Sequence, residues 1–390
     1  MSKLDDLLKQ YCPNGVEYKK LGDVCKINGR IGFRGYTRQD QVSKGEGAIS
    51  LSPSNIQNGE ISFEDCTYIN WHKYEESPEI QASVGDIIFG KTASVGKTAL
   101  IKRLPEKATI NPQLVLLKEI MCNPSFLSYV LKTKEFQNKV NRIKGLGTIP
   151  TISQKDFANL TIPVPPLPVQ SEIVRILDNF TELTAELQAE LQARKKQYEY
   201  YRELLLSGTK GAPIKRLGDT CSMKSGKAIK ATQLSNEQDD EHEYPCFGGN
   251  GIRGYISETS HSGEFPIIGR QGALCGNVNY ATGNFYATEH AVVVKSKGEY
   301  DQRYLFYLLT SMNLNQYKSQ GAQPGLAVGN IENLTAPVPS LLKQKKIVTV
   351  LDRFDTLCNG ISDGLPAEIE ARQKQYEYYR DKLLTFKETL

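Results

Sequence analysis

One block of sequence occurs twice in this chain, and the repetition limits what it can fold into. Pro163-Val-Pro-Pro-Leu-Pro-Val-Gln170 and Ile173-Val-Arg-Ile-Leu-Asp-Asn-Phe180 return as Pro337-Val-Pro-Ser-Leu-Leu-Lys-Gln344 and Ile347-Val-Thr-Val-Leu-Asp-Arg-Phe354. Each copy then runs into an identical Gln-Tyr-Glu-Tyr-Tyr-Arg, at Gln197–Arg202 and Gln375–Arg380. The period is too long for a solenoid and fits a duplicated unit of one domain plus one long helix. The chain is expected to be a pseudo-dimer on a single polypeptide.

Weaker echoes carry the repeat into the segments before the helices. Lys20-Leu-Gly-Asp-Val-Cys25 answers Arg216-Leu-Gly-Asp-Thr-Cys221, and Asn159-Leu-Thr-Ile-Pro163 answers Asn333-Leu-Thr-Ala-Pro337. Ile87-Ile-Phe-Gly-Lys91 pairs with Ile267-Ile-Gly-Arg270, Leu114–Lys118 with Ala291–Lys295, and Phe126–Leu131 with Tyr304–Leu309. The loops between these marks differ. A shared scaffold with divergent loops suits two modules that bind different versions of one kind of target. Short β-branched runs, Gly/Pro turns and one short helix near each head's end (Pro124 to Asn138, Asp301 to Leu314) predict α+β heads with irregular, mainly antiparallel sheets.

The helices are the clearest periodic signal. Ile173, Leu177, Phe180, Thr184, Leu187, Leu191, Arg194, Tyr198, Tyr201 and Leu205 step by four and three, a heptad seam weakened at Thr184 and Arg194. Pro163 to Pro168 reads as a stiff lead-in outside the helix, and Ser207-Gly208 as its stop. That predicts about 35 helical residues, on the order of 50 Å. The second copy begins the same seam at Ile347, Leu351, Phe354 and Leu357 and resumes it over Glu368 to Leu384. Gly360-Ile-Ser-Asp-Gly-Leu-Pro366 intervenes, and the offset between copies grows from 174 at Phe180/Phe354 to 178 at Gln197/Gln375. A stutter or a short loop absorbs four residues; Gly364 and Pro366 favour the loop. The two helices are expected to pair as an antiparallel coiled coil with a head at each end, the alternative being that each folds back on its own head. Expected boundaries are 1–160 and 213–336 for the heads, with helical regions at 161–212 and 337–390.

Composition adds little specificity. A net charge of +4 and a pI near 8.4 permit nucleic acid without requiring it. No apolar stretch reaches membrane-spanning length, and Met1-Ser-Lys-Leu-Asp-Asp lacks a signal-peptide core, so no membrane association and a cytoplasmic location are expected. The eight cysteines show no Cys-x-x-Cys spacing, and His72, His242, His261 and His290 stand at no metal-ligand spacing.

Three fragments imitate catalytic motifs. Gly90-Lys-Thr-Ala-Ser-Val-Gly-Lys-Thr98 has five residues between its glycines where a phosphate loop has four, and no strong amphipathic helix follows. Gly249-Asn-Gly-Ile-Arg-Gly254 has dinucleotide-motif spacing without the strand and helix that motif needs. Asn111-Pro-Gln-Leu114 lacks the second proline and aromatic of the amino-methyltransferase motif. The chain reads as a binder, not an enzyme, with no cofactor of its own.

The order of head, Pro-rich lead-in and long helix, twice, resembles the specificity subunit of type I restriction-modification systems over essentially the whole chain. The resemblance rests on Asn159 to Asp178 and Asn333 to Asp352 ("Asn-Leu-x-x-Pro-x-Pro", then "Gln-x-x-Ile-Val-x-x-Leu-Asp"), on the Leu-Gly-Asp starts, and on Ile267-Ile-Gly-Arg-Gln-Gly-Ala-Leu-Cys-Gly276. It implies a non-catalytic reader of double-stranded DNA in which each head takes half of a bipartite site. It also implies that the helices hold two adenine methyltransferase subunits, and that motor-nuclease subunits join. S-adenosylmethionine, ATP and Mg would belong to those partners. The rival readings are a coiled-coil scaffold with protein-binding heads and a stand-alone DNA methyltransferase.

Candidate DNA contacts are loop residues with base-reading chemistry. Lys91, Thr92 and Lys97 correspond approximately to Arg270, Gln271 and Asn277. Arg30, Arg34 and Arg38, interleaved with Gly29, Gly32 and Gly35, suit phosphate contact, as do Arg253, Lys224, Lys227 and Lys230 in the second head. Asn111, Gln113, Glu289 and His290, just before a shared strand, are either readers or strand-end caps. Tyr198, Tyr201, Tyr376 and Tyr379 are expected at partner interfaces because their blocks are identical; otherwise they are seam residues.

Overall fold

The computed structural model describes residues 3–30, 35–145, 147–207, 209, 211–272, 274–319, 324–360 and 362–389. It divides into two compact units, Met1–Glu186 with Ile369–Leu390, and Leu187–Glu368. Each unit contains one head and parts of both helical arms.

The heads are built alike. In the first, strands Lys26–Gly29, Leu114–Lys118, Ile87–Gly90 and Thr98–Leu100 form an antiparallel sheet in that order. In the second, Cys221–Ser225, Ala291–Ser296, Phe265–Gly269 and Val278–Ala281 repeat it. The unbroken apolar runs follow from what covers these sheets. Successive side chains point to opposite faces, and both faces are covered. Val115, Leu117, Ile87 and Phe89 enter one core while Leu114, Leu116 and Ile88 enter another. Val292, Val294 and Ile268 are likewise separated from Ala291, Val293 and Ile267. Each head adds a second four-stranded sheet with one parallel pair, Ala108–Ile110 on Gly47–Leu51 and Asn284–Ala287 on Tyr244–Gly248.

Helices Pro124–Leu131 and Gln302–Ser311 bury Phe126, Leu127, Val130 and Leu131, and Tyr304, Leu305, Leu308 and Leu309, in their heads' cores. Asn123 and Asp301 cap them by accepting from backbone N–H groups of the first turn. The first helical region continues, after a break at Lys132 and Thr133, as Lys134–Ile143.

The repeated signature is the joint between head and arm. The Gln170 Oε1 accepts from the Asn123 N–H at 2.8 Å and its Nε2 donates to the Pro165 carbonyl at 2.7 Å. Gln344 does the same for Asp301 at 2.7 Å and Pro339 at 2.8 Å, and also reaches the Glu299 carbonyl. Eight residues further on, Asp178 and Asp352 accept from the hydroxyls of Tyr129 and Tyr307, each at 2.5 Å.

The first arm is a single helix, Leu167–Ser207, of 41 residues. It is longer than the heptad seam alone predicts because Leu167 and Pro168 fit the first turn, where a missing N–H breaks no bond. The second arm is two helices, Leu341–Asn359 and Leu365–Leu383. A Cβ at Gly364 would stand 2.5 Å from the Thr356 carbonyl oxygen and 2.7 Å from that of Gly360, so the four-residue offset is taken up in a loop that requires glycine. The arms pack together as an antiparallel pair. In one unit Phe180 stacks on Tyr379 at 5.5 Å, and in the other Phe354 stacks on Tyr201 at 5.6 Å. Along Leu341–Asn359, the neighbours step back from Tyr201 at Phe354 to Lys195 and Arg194 at Cys358. The helices also join their own heads' cores, through Ile173 and Leu177 in one and Ile347 and Leu351 in the other, so packing on the other arm does not exclude packing on the head.

Candidate DNA-recognition sites

Each head carries the same backbone loop where the two sheets meet. In the first, the Lys91 N–H donates to the Gln113 carbonyl at 2.8 Å, and the Lys91 carbonyl accepts from Ile152 at 2.9 Å. In the second, Arg270 donates to His290 at 2.9 Å and accepts from Leu326 at 2.8 Å. Thr92 pairs with Thr151 as Gln271 pairs with Gly325, and Ala93 and Gly272, both at positive φ, donate to Pro150 and Pro324. The Lys97 and Asn277 carbonyls accept from Gly90 and Gly269. Lys91/Arg270, Thr92/Gln271 and Lys97/Asn277 therefore occupy matching backbone positions and differ only in side-chain chemistry.

Their surroundings are polar and partly desolvated. Burial lowers the pKa of the half-buried Lys91 ammonium. The Asn111 Oδ1 accepts from the Gln113 N–H at 3.0 Å, an Asx turn that aims Gln113 at the loop. In the second head Arg270 Nη1 donates to Ser225 Oγ at 3.0 Å, Asn277 Nδ2 to Asn250 Oδ1 at 2.9 Å, and His290 Nε2 lies 3.1 Å from Glu289 Oε1. Gly249-Asn250 is the turn of a hairpin resting on this loop, and a Cβ at Gly269 would run into the Gly249 carbonyl. The glycines of the apparent dinucleotide motif have local backbone reasons: a Cβ at Gly249 would stand 2.8 Å from the Gln271 carbonyl oxygen, Gly251 sits at φ +87°, and a Cβ at Gly254 would stand 2.6 Å from the Ser235 carbonyl oxygen. Gly90 to Thr98 is likewise a hairpin connection between antiparallel strands.

The other candidates scatter. Arg30 is 4% exposed, donates to the Ile110 carbonyl at 3.3 Å and to Thr109 Oγ1 at 3.4 Å, and lies over the Tyr36 ring. Its charge serves the inside of the head. Arg34 lies outside the described residues, and Arg38 is exposed on a turn capped by Thr37. In the second head Lys227 and Lys230 are exposed on the segment after Cys221–Ser225, whereas Lys224 is exposed on that strand and Arg253 on the strand Gly251–Ile256. Sequence reasoning missed the facing loops at Pro150-Thr151-Ile152 and Pro324-Gly325-Leu326, although their offset of 174 matches the signature's.

On the arms, Tyr198 is 9% exposed and stacks on Phe354, and burial pushes its phenol up to about 12. Tyr376 packs edge-on against Tyr129, while Tyr201 and Tyr379 make the stacks described above. All four expected interface tyrosines thus meet another ring of this chain, Tyr201 with its edge still exposed. Among the described residues no group of three His, Cys, Asp or Glu is placed to hold a metal ion, and no helix is long and apolar enough to cross a membrane.

The family described as "Type I restriction modification DNA specificity domain" matches residues 13–194 and 210–371, once per repeat. The chain belongs to the type I restriction-modification DNA specificity family. It is 44% identical over 295 residues to the type I restriction enzyme EcoprrI specificity subunit of Escherichia coli, covering 71% of this chain and 73% of that one. It is 35% identical over 262 residues to the EcoR124I/EcoR124II specificity subunit of Escherichia coli, covering 60% of this chain and 65% of the relative. A crystal structure of the type I restriction-modification S subunit from M. genitalium shares the fold, with a TM-score of 0.57 at 15% identity over 95% of this chain and 96% of that one. As a specificity subunit the chain is a non-catalytic, sequence-specific DNA-binding component of a type I complex. The paired loops present cations and amides held in place by backbone ladders rather than by flexible tethers.

Proposed function

We propose that each head reads one half of a bipartite double-stranded DNA site, and that the arms hold two adenine methyltransferase subunits and admit motor-nuclease subunits. The observation that carries this reading is the contrast between matched loops with different side chains and arms with identical blocks. Lys91 and Arg270 suit guanine O6 and N7, Gln271 and Asn277 suit adenine, and Thr92 suits either. Exposed Lys97, Arg38, Arg253, Lys224, Lys227 and Lys230 supply phosphate contacts that position the heads. Arg30 acts from inside by bracing the strand that ends at Ile110. S-adenosylmethionine, ATP and Mg belong to the partner subunits, and the complex works in the cytoplasm, where its DNA is.

The test is exchange of residues 213–336 for the second head of another specificity subunit, with methylome sequencing of cells carrying the assembled complex. One half-site should change while the other half-site stays. A change in both halves, or DNA binding insensitive to salt between 50 and 200 mM, would sink the reading.

A further inference from the structure

The reading loops of the two heads end in the same turn. In the first, the Lys97 N–H donates to the Ser94 carbonyl at 3.3 Å, with Gly96 at φ +96°. In the second, the Asn277 N–H donates to the Leu274 carbonyl at 3.2 Å, with Gly276 at φ +93°. A positive φ at the third residue gives each the form of a type II turn, which holds its first and fourth residues within about 7 Å of one another. The Gly96 and Gly276 N–H groups donate to the Gly90 and Gly269 carbonyls, Cys275 is fully buried, and Asn315 Nδ2 donates to the Cys275 carbonyl at 2.6 Å. The turns are anchored from beneath, and their corners differ: Ser94 and Lys97 in one, Leu274 and Asn277 in the other.

Leu274 is 51% exposed, an apolar side chain on a loop that otherwise presents Arg270, Gln271 and Asn277. Asn277 is exposed as well, and its Nδ2 donates to Oδ1 of Asn250, which is exposed on the hairpin resting against this loop. Whichever way the two amides are turned, that single bond leaves an amide oxygen on one and an NH2 group on the other. At the place of Asn250 the first head has Ser54, counted from the Leu51 and Phe247 carbonyls that accept from Asn111 and Thr288. The amide pair belongs to the second head.

Adenine presents an N6 amino donor beside the N7 acceptor in the major groove, which matches one free amide oxygen beside one free NH2 group. Guanine offers two acceptors there, so the amide oxygen would meet another oxygen. The apolar group on that surface is the C5-methyl of thymine, and a leucine set against phosphates would gain nothing. We infer that Asn250 and Asn277 act as one composite reader of an adenine in the second half-site, and that Leu274 packs on the methyl group of the thymine paired with it. The first head, with Ser94, Lys97 and Ser54 at the same places, makes no such demand. This deepens the function proposed above and rests on it.

The test uses the chain assembled with its partner subunits, on duplexes carrying the site that methylome sequencing gives. Asn250→Ala and Asn277→Ala should each relax the same A·T position of the second half-site, lowering discrimination there by about 10-fold or more. Because the two amides act as a unit, the double variant should lose no more than either single one. Replacing the thymine of that pair with deoxyuridine deletes one methyl group; it should weaken wild-type binding about threefold and leave the binding of Leu274→Ala unchanged. The first half-site should be read as before in every variant, which shows that the complex has assembled. No loss of discrimination, relaxation at different positions by the two asparagines, additive losses, a relaxed position that is G·C, or equal deoxyuridine sensitivity in wild type and Leu274→Ala would overturn the assignment. A second head whose exchange leaves both half-sites unchanged would instead overturn the function on which it rests.

Discussion

Gln170 and Gln344 show how one side chain can fix a boundary. Both are buried, and each amide satisfies backbone groups of its head and of its own lead-in. Truncating Gln344 strands the Asp301 N–H and two carbonyls, so Gln344→Ala should cost on the order of 3 kcal/mol in chemical unfolding, and Gln170→Ala somewhat less with one carbonyl fewer. Lys132 gives a pH-dependent case. Its ammonium donates to the Gly59 carbonyl at 3.0 Å, and burial, reinforced by Lys102, lowers its pKa to about 8. The unfolded chain keeps that proton to about 10.4, so between those values the unfolded state binds more protons and stability rises with pH. Below about pH 8 the contribution is flat. Lys132→Met should abolish this rise in unfolding free energy between pH 8 and 10; an equal rise in the variant would mean that other groups cause it. Residue roles were only partly legible in the sequence. Arginines among glycines looked like a flexible basic loop, yet Arg30 is an internal strut, because the Thr109–Ile110 strand that receives it is about eighty residues away in sequence. In the Tyr blocks, identity between repeats was visible, but which of the three tyrosines faces outward depends on helical phase against two different surfaces.

At the level of elements the sequence was far more legible, because duplication supplies an internal control. Every echoed pair took the same place: Ile87–Gly90 and Phe265–Gly269 as second-rank strands, Leu114–Lys118 and Ala291–Ser296 as central ones, Pro124–Leu131 and Gln302–Ser311 as covering helices. The parallel strand pairs were not legible, since their partners are far apart in sequence and no periodicity encodes the pairing. The interruption of the second arm was legible from glycine and proline alone, and its geometry makes a test. A methyl group at position 364 would crowd two carbonyls, so Gly364→Ala should destabilise by roughly 1–3 kcal/mol, as other overpacked sites do. Gly329, in the short helix Val328–Glu332 with nothing within 4 Å of a Cβ, should tolerate alanine with no loss or a small gain. Equal losses at both sites, measured by denaturant midpoint, would show that the loop does not depend on its glycines.

For the whole molecule, the central helix is the part that serves both units at once, giving residues up to Glu186 to one and from Leu187 to the other. The chain's second crossing follows soon after the Gly360–Gly364 break, so Leu167–Ser207 is the long uninterrupted helical link. Around the division the sequence reads Ala-Glu-Leu-Gln twice, at 185–188 and 189–192. Four more helical residues add about 6 Å and advance the helix by slightly more than one turn, so a third copy keeps the seam nearly in phase. On duplex DNA 6 Å is close to two base pairs at 3.4 Å each. If the helix sets the distance between two half-sites, inserting Ala-Glu-Leu-Gln after Gln188 should lengthen the non-specific spacer by one or two base pairs and leave both half-sites intact. Methylome sequencing of cells carrying the variant with its partners reads both quantities together. New half-site letters with the old spacer would mean that the loops, not the helix, respond to the insertion; loss of all methylation with the chain still folded would mean that the second arm cannot follow the longer first one.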